Sequence, residues 1–452
     1  MTHPSMKHNS VDMLNGSLAD KMIFFALPLA ASGILQQLFN AADLAVVGRF
    51  ASSKAMAAVG SNGAVINVII GLFMGLSVGA NVVISSLIGI GHKERIREAV
   101  HTIITVALLA GVLLSILGIL LSAPILRLMG APLEVMDLAI LYLRIYFLAM
   151  PAIMIFNYGS AILRSKGDST RPLIALTLSG ILNVILNLLL VVGFSLHVIG
   201  VATATVLSNV LSASLTLYFL MTEEEVFRLD LRKLCIRKEY LLRMINIGLP
   251  AGIQGTVFSL SNVVIQSTVN SFGAEAIAGA TASQNFDFIS YCLINAFAQT
   301  GVTFTSQNYS AKKYDRCKKV FRISTLCAAS FSIGVIVIMY LLRNQIIGLF
   351  TQDSEVISYA MIRVYNTFLF HFLLSSYEVS GGCLRGMNHS LLPAIISLAG
   401  TVGVRLIYIF TYLPRHRSFA VLFRVYPISW VFTGACMLTA YFFVRRKLLK
   451  KA

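Results

Sequence analysis

Long uninterrupted runs of apolar residues, each bounded by short polar or charged segments, dominate this chain. From Ala99 to Leu126 there is no Asp, Glu, Lys or Arg, and from Pro172 to Thr222 there is again none. About 20 helical residues cross the roughly 30 Å hydrocarbon core of a bilayer. The first run therefore predicts one span and the second predicts two, joined near Gly193–His197. Only α-helices and closed barrels satisfy their backbone in lipid. Barrel strands alternate apolar and polar positions, whereas these runs are continuously apolar, so helices are expected. Twelve follow, at approximately 22–47, 56–80, 99–122, 135–162, 172–193, 198–221, 243–270, 276–300, 321–342, 356–384, 391–413 and 420–443.

The charged segment Glu223–Arg243 divides the chain near its middle, and the two parts resemble each other. ALPLAASG (26–33) matches GLPAGIQG (248–255), and VGRFASSKAMAAVG (47–60) matches VNSFGAEAIAGA (269–280). LRIY (143–146) recurs as IRVY (362–365), and LRSKGDSTRP (163–172) as LRGMNHSLLP (384–393). An even number of spans per repeat makes the two halves parallel, related by an axis along the membrane normal. The expected fold is an all-α integral membrane protein of twelve transmembrane helices in two six-helix lobes. The expected boundaries are an N-terminal lobe at 1–222, a linker at 223–243 and a C-terminal lobe at 244–452. Two such halves suit an alternating-access transporter.

Composition agrees with a membrane solvent. Of 452 residues, 57% are hydrophobic and 12% charged, against about a quarter charged in soluble proteins. The net charge of +17 would suit nucleic-acid binding if it formed one patch. It falls instead in clusters between spans. With a cytoplasmic N-terminus, the tails and loops of that side, counted with the span-end residues Arg243 and Arg322, hold 26 of the 36 Lys and Arg residues, and the opposite loops hold six. Retention of positive charge predicts that both termini and the linker are cytoplasmic, in the inner membrane of the cell. The six cysteines have no metal-ligand spacing and are expected to be inert. The first 21 residues are polar, and the run from Met22 is too long for a signal sequence. There is no GxxxxGK[ST] loop for ATP, and no enzyme site is evident.

Asp43 lies late in an otherwise apolar span, where an ionised carboxylate is costly unless solvated or paired. Either it reaches water at the outer interface or it lines a wet cavity. Gln36, Asn40 and Asp43 are spaced i, i+4, i+7 and share one helical face, which favours the cavity. Asn183 and Asn187 share a face of the fifth span, either as interhelical hydrogen-bonding residues or as part of a site. Thr205 lies on the next span. Asp287, Glu378 and Arg405 are further charges within spans, and Glu378 and Arg405 sit on adjacent spans where a structural ion pair is expected. Arg144 and Arg363 occupy equivalent positions in the repeats and are expected to anchor span ends at the interface. Pro28, Pro151 and Pro250 fall inside spans, where each favours a kink.

NAADLAVVG (40–48), LRSKGDSTRP, LNVILN (182–187), GVATATVLS (200–208) and NAFAQTGVTFTSQNYSAKKYDR (295–316) together resemble the multidrug and toxic compound extrusion (MATE) family, over about residues 15–445. The resemblance implies a cation-coupled exporter. Its coupling site for H⁺ or Na⁺ would comprise Asp43, Asn183, Asn187 and Thr205, a set of oxygen donors that suits a hard cation. The position of Asn187 is an aspartate in several branches, so this chain keeps one carboxylate there, which favours a proton. Ile265 stands where the repeat would place a second Asp43, and Gln254 and Phe258 occupy the region of the seventh span where other branches carry an acid. Gln36, Asn40, Asp287, Glu378 and Arg405 are the candidate cavity residues. The expected partners are amphipathic organic cations and membrane lipid, with no nucleic acid, no cofactor beyond the coupling ion, and a monomeric state. The alternative function is flipping of a lipid or lipid-linked saccharide, for which basic residues would be expected in the cavity. A channel or receptor is disfavoured by the duplication.

Overall fold

The computed structural model describes residues 10–449 apart from 51–52, 130–132, 224–225 and 349. Twelve long helical segments occupy the twelve expected spans, and no strand occurs among the described residues. The first six are α1 (Ala19–Phe50), α2 (Ser53–Ile90), α3 (Lys93–Leu128), α4 (Met136–Phe147 with Met150–Lys166), α5 (Thr170–Gly193) and α6 (His197–Met221). The second six are α7 (Lys238–Asn270), α8 (Ala274–Ser310), α9 (Tyr314–Leu341), α10 (Ser354–Gly386), α11 (Leu391–Arg415) and α12 (Phe419–Leu449). Ten are long and apolar enough to cross a bilayer, and α4 is an eleventh when its two arms count as one span. The remaining helix, α8, has ample length at 37 residues. Gln284, Asn285, Asp287, Asn295 and Gln299 make it more polar than the rest.

The prolines act differently from one another. The two arms of α4 meet at 47°, and Pro151 sits in the first turn of the second arm. A residue without an N–H costs nothing there and bars the first arm from continuing. Pro28 and Pro250 lie inside the continuous helices α1 and α7.

The chain forms two compact units. Unit 1 comprises Met1–Asp12 and Ala31–Ile245, and unit 2 comprises Met13–Ala30 and Asn246–Ala452. Within unit 1, a Cβ on Gly180 of α5 would stand 1.8 Å from the Phe39 ring of α1, so the absence of a side chain lets these helices approach closely. The linker is pinned to the start of α3. The Asp230 N–H donates to His101 Nε2 at 3.1 Å, the Arg237 N–H to Thr102 Oγ1 at 3.2 Å, and the Tyr240 hydroxyl to Glu98 at 3.2 Å.

The LRSKGDSTRP motif is the turn from α4 to α5. Gly167 ends α4 with φ +105°, and Asn388 takes φ +64° at the corresponding place in the second repeat. Asp168 then caps α5, accepting from the N–H groups of Thr170 and Arg171 at 3.0 Å each. Arg171 also pairs with Asp168 and Glu223, and Lys166 reaches Glu223 at 2.6 Å. The Glu223 side chain is fully buried.

In unit 2 the segment before α1 is held through its backbone. Asn308 donates to the Met13 carbonyl at 3.0 Å, Lys313 to that of Leu14 at 2.9 Å, and Arg316 to that of Gly16 at 3.0 Å. Phe25 then packs edge-on against Phe304 of α8. Further along α8, a Cβ on Gly382 of α10 would meet the Ala298 carbonyl oxygen at 2.6 Å, another close helix pair. Phe321 and Tyr441 stack with centroids 4.0 Å apart, joining α9 to α12.

Glu223 makes this architecture sensitive to acid. Burial pushes its carboxyl up, but the hydrogen bonds and charges of Lys166 and Arg171 outweigh burial and hold it below the usual carboxylate range. A depressed folded-state pKa contributes stability at neutral pH that is lost as pH falls below about 4.3 and through the folded value. Glu223→Gln should lose about 3 kcal/mol near neutral pH, because Lys166 and Arg171 lose the buried acid they share. The gap to wild type should then close on acidification. Melting temperatures in detergent from about pH 7 down to about pH 3 test this; a gap that is absent at neutral pH, or constant with pH, refutes it.

Candidate functional site

Asp43 of α1 is half-buried and meets α5 directly. Asn187 Nδ2 donates to Asp43 Oδ1 at 2.5 Å and to Asn183 Oδ1 at 3.2 Å. Asn183 Nδ2 in turn donates to Ser208 Oγ of α6 at 3.4 Å. Three helices of unit 1 thus contribute to one polar chain inside apolar surroundings. The i, i+4 spacing of the two asparagines puts both amides on the face of α5 that Gly180 brings against α1. Asn187 is fully buried, and its Oδ1 has no hydrogen-bond partner. A buried carbonyl oxygen beside a carboxylate is an available acceptor, for a proton donor or for a cation.

The structure joins Asp43, Asn183 and Asn187, while Thr205 stands one step away. Its hydroxyl donates to its own helix at Val201 O, and its carbonyl accepts from Ser208 Oγ, each at 3.0 Å. Ser208 is the α6 hydroxyl that reaches the asparagines. It lies on the same helical face as Thr205, three residues on, so helical spacing alone offered both. Gln36 and Asn40 are exposed and make no side-chain hydrogen bond among the described residues. Tyr142 and Tyr146 of α4 complete the surroundings. They are buried, their rings stack at 6.1 Å, and both lie within electrostatic reach of Asp43. Their i, i+4 spacing was the available signal.

The charges of unit 2 are arranged otherwise than expected. Arg405 does not pair with Glu378, and Glu378 makes no ion pair among the described residues. Arg405 is fully buried and directed toward α7 and α12. Its Nε donates to Ser429 Oγ at 3.2 Å and its Nη1 to Asn262 Oδ1 at 3.4 Å. The guanidinium lies 4.5 Å from the Tyr426 ring centroid and 5.2 Å from that of Phe258. Glu378 instead feels Arg385, which donates to Gln254 Oε1 at 2.9 Å.

Arg363 is not an interface anchor. It is buried, it pairs with Asp287 of α8, and its guanidinium sits 5.3 Å from the Phe423 ring centroid. Its repeat equivalent Arg144 is exposed, as expected of an anchor. The difference comes from α8, which offers a carboxylate where α2 has none. Beside this pair, His371 bonds Ser290 at 3.1 Å and Ser290 bonds Ser332 at 2.8 Å.

Comparison with known proteins fits this duplicated arrangement. The family model MatE matches residues 28–189 and again 250–411. The chain belongs to the MatE family. Both matches begin at a proline, Pro28 and Pro250, and each covers five spans of one repeat. A relative, the probable multidrug resistance protein YoeA of Bacillus subtilis, is 28% identical over 391 residues, covering 85% of this chain and 84% of that one. The probable multidrug resistance protein NorM of Thermotoga maritima is 28% identical over 392 residues, with 85% and 84% covered. The multidrug export protein MepA of Staphylococcus aureus is 25% identical over 369 residues, with 80% and 78% covered. Among solved structures, the outward-facing conformation of a multidrug resistance MATE family transporter of the MOP superfamily superposes with a TM-score of 0.90. It covers 98% of this chain and 99% of that one at 22% identity. MatE proteins are membrane transporters and not enzymes, and the twelve-helix, two-lobe fold is theirs.

The two repeat-equivalent arginines should respond oppositely to the same change. Arg363→Gln leaves Asp287 unpaired inside a span and should cost about 3–5 kcal/mol. Arg144→Gln should cost less than about 1 kcal/mol. Unfolding in detergent and denaturant measures both, and equal losses would return Arg363 to an anchoring role.

Proposed function

We propose that this MatE transporter is a multidrug exporter driven by inward cation flow. It exchanges H⁺ or Na⁺ for amphipathic organic cations by alternating access, acting as a monomer in the cytoplasmic membrane. The names of its relatives support export of drugs. The observation that carries the coupling site is the Asp43 carboxylate, a charge within the α1 span held by Asn187 at 2.5 Å. An acid placed in a span at such cost is a functional site by default. Asp43, Asn183, Asn187 and Thr205 are the residues assigned to the coupling ion.

The donor pattern favours a proton. Asn187 gives its N–H groups to Asp43 and Asn183, so the carboxylate already has a neutral donor where a bare cation would need an oxygen. Asp43 is the one formal negative charge in the cluster, which leaves Na⁺ with weak electrostatic attraction. Protonation turns Asp43 from an acceptor into a donor, and the unpartnered Oδ1 of Asn187 can receive that proton if the amide turns over. One proton would thereby reverse the hydrogen-bond direction between α1 and α5 and remove the charge that attracts a cation. Na⁺ in its place would use the oxygens of Asp43, Asn183, Asn187 and Thr205, with the Asn187 amide turned to present its carbonyl.

Asp43→Asn preserves size and fixes the group neutral. In proteoliposomes, dye efflux under an imposed ΔpH should fall at least about tenfold, while the purified variant elutes and melts like wild type. Efflux at the wild-type rate under both ΔpH and Na⁺ gradients would remove Asp43 from the coupling role. A wild-type response to Na⁺ alone would exchange the proton for sodium.

The orientation rests on basic-residue asymmetry, with both termini and the linker in the cytoplasm. A variant retaining Cys235 as its single cysteine, in the linker, should resist a membrane-impermeant thiol reagent in intact cells and react after lysis. Labelling in intact cells would reverse the topology.

A further inference from the structure

The family model matches the chain twice, starting 222 residues apart (28 and 250) and ending 222 apart (189 and 411). On that offset Asn183 corresponds to Arg405, and Asn40 to Asn262. The hydrogen bonds run in parallel but one position apart: Asn183 donates to Ser208 on α6, whose counterpart on this offset is Trp430, and Arg405 donates to the adjacent Ser429 on α12. Unit 2 therefore contains a counterpart of the polar cluster of unit 1, built on α7, α11 and α12 as the first is built on α1, α5 and α6. Its charge is inverted. Where Asp43 would recur there is Ile265, and where Asn183 would recur there is a guanidinium.

That guanidinium lacks what its chemistry requires. Arg405 is fully buried, no carboxylate among the described residues pairs with it, and its Nη2 has no acceptor. Hydroxyl, amide and ring contacts satisfy only part of a charge that is always present. Trp430 follows Ser429 on α12 and touches Tyr426 at 5.7 Å between centroids. It is also buried, with an Nε1–H that finds no acceptor. Two orphan donors, one of them cationic, thus flank Tyr426. The cover over Arg405 is thin. Asn262 is exposed and bonds Arg405 at a long 3.4 Å, and Phe258 and Tyr426 are half-buried. Displacing this weak amide contact would free Nη1 beside the orphan Nη2, giving an oxyanion two donors with aromatic faces beside them.

We propose that Arg405 is an anion receptor in unit 2 that takes the carboxylate of a zwitterionic aromatic substrate. Its Nη2–H donates to one carboxylate oxygen. The proposal rests on the export reading above and narrows its substrate class. Planar guanidinium and carboxylate match each other in charge and geometry. The site would distinguish substrates that carry an acid beside their cationic centre from those that are cationic only.

A matched pair of probes tests it: rhodamine B, which carries a free carboxylate, and its ethyl ester, a cation of nearly the same shape. Binding to the purified transporter is read by fluorescence anisotropy, and export is read in proteoliposomes. Arg405→Met should weaken rhodamine B binding at least about tenfold and change ester binding less than about twofold. Arg405→Lys should recover part of the loss. The melting temperature of Arg405→Met should equal or exceed that of wild type, because an uncompensated buried charge has been removed. Equal losses for both dyes with a lowered melting temperature would make Arg405 structural and overturn the proposal. No loss for either dye, or no binding of rhodamine B to wild type, would overturn it as well. If the wild type binds rhodamine B through Arg405 yet exports neither dye, the export reading fails and the anion site stands.

Discussion

Hydrocarbon does not solvate ions, and that single constraint decides which helices of this transporter carry polar contacts to one another. Each charge held within a span commits a neighbour to it. Asp43 binds α1 to α5 through Asn187, Asp287 binds α8 to α10 through Arg363, and Arg405 binds α11 to α7 and α12 through Asn262 and Ser429. Glycines permit these meetings. With a side chain at position 180, the Phe39 ring would have to give way before α1 came near enough for Asp43 to reach Asn187. Close packing and polar pairing are therefore one requirement. A hydrogen bond of 2.5 Å between two helices is possible only where their backbones are already close.

Much of this was legible in the chain. The twelve spans follow from apolar run length, because a bilayer imposes one length scale on every crossing. The helix α8 was recoverable despite its polar residues, since the repeat requires a partner for α2. The Asp43 cluster was legible because its asparagines are i, i+4 and a helix has one periodicity. Long-range partnerships were not. Arg363 meets Asp287, 76 residues away in sequence, and nothing local distinguishes it from Arg144, which has similar apolar neighbours and is exposed. Thr205 and Ser208 share a face, so spacing offered both, and only the depth of α6 against α5 selects the serine.

The failure of Glu378 to meet Arg405 has a more specific cause. Adjacent spans do bring α10 beside α11, but which side of α11 faces α10 depends on helical phase. That phase is altered, ahead of Arg405, by the wide π turn at Leu398–Gly403. A π turn accommodates one extra residue in an α-helix and rotates everything beyond it by about 100°. Reading α11 as a regular helix therefore misplaces Arg405 by about a quarter turn, enough to exchange a carboxylate for an amide and a ring.

The same extra residue accounts for how the two halves diverged. The turn motif LRSKGDSTRP lies 221 residues before its counterpart LRGMNHSLLP (163 against 384), while the family matches end 222 apart (189 against 411). One residue has been gained between Pro393 and position 411, and the π turn Leu398–Gly403 lies in that interval. In α5 the corresponding stretch is regular α-helix through Asn187, and its π turn begins only at Leu188. Without the insertion, Arg405 would fall opposite Val184, on a half-exposed side of the helix. With it, the guanidinium takes the place of Asn183 and meets the hydroxyl of Ser429 on α12, one residue before the counterpart of Ser208. A single widened turn is thus sufficient to carry a cation into the polar cluster of one repeat while the other keeps its acid. Two lobes of common ancestry can in this way hold opposite charges at equivalent depth without any change in which helices pack together.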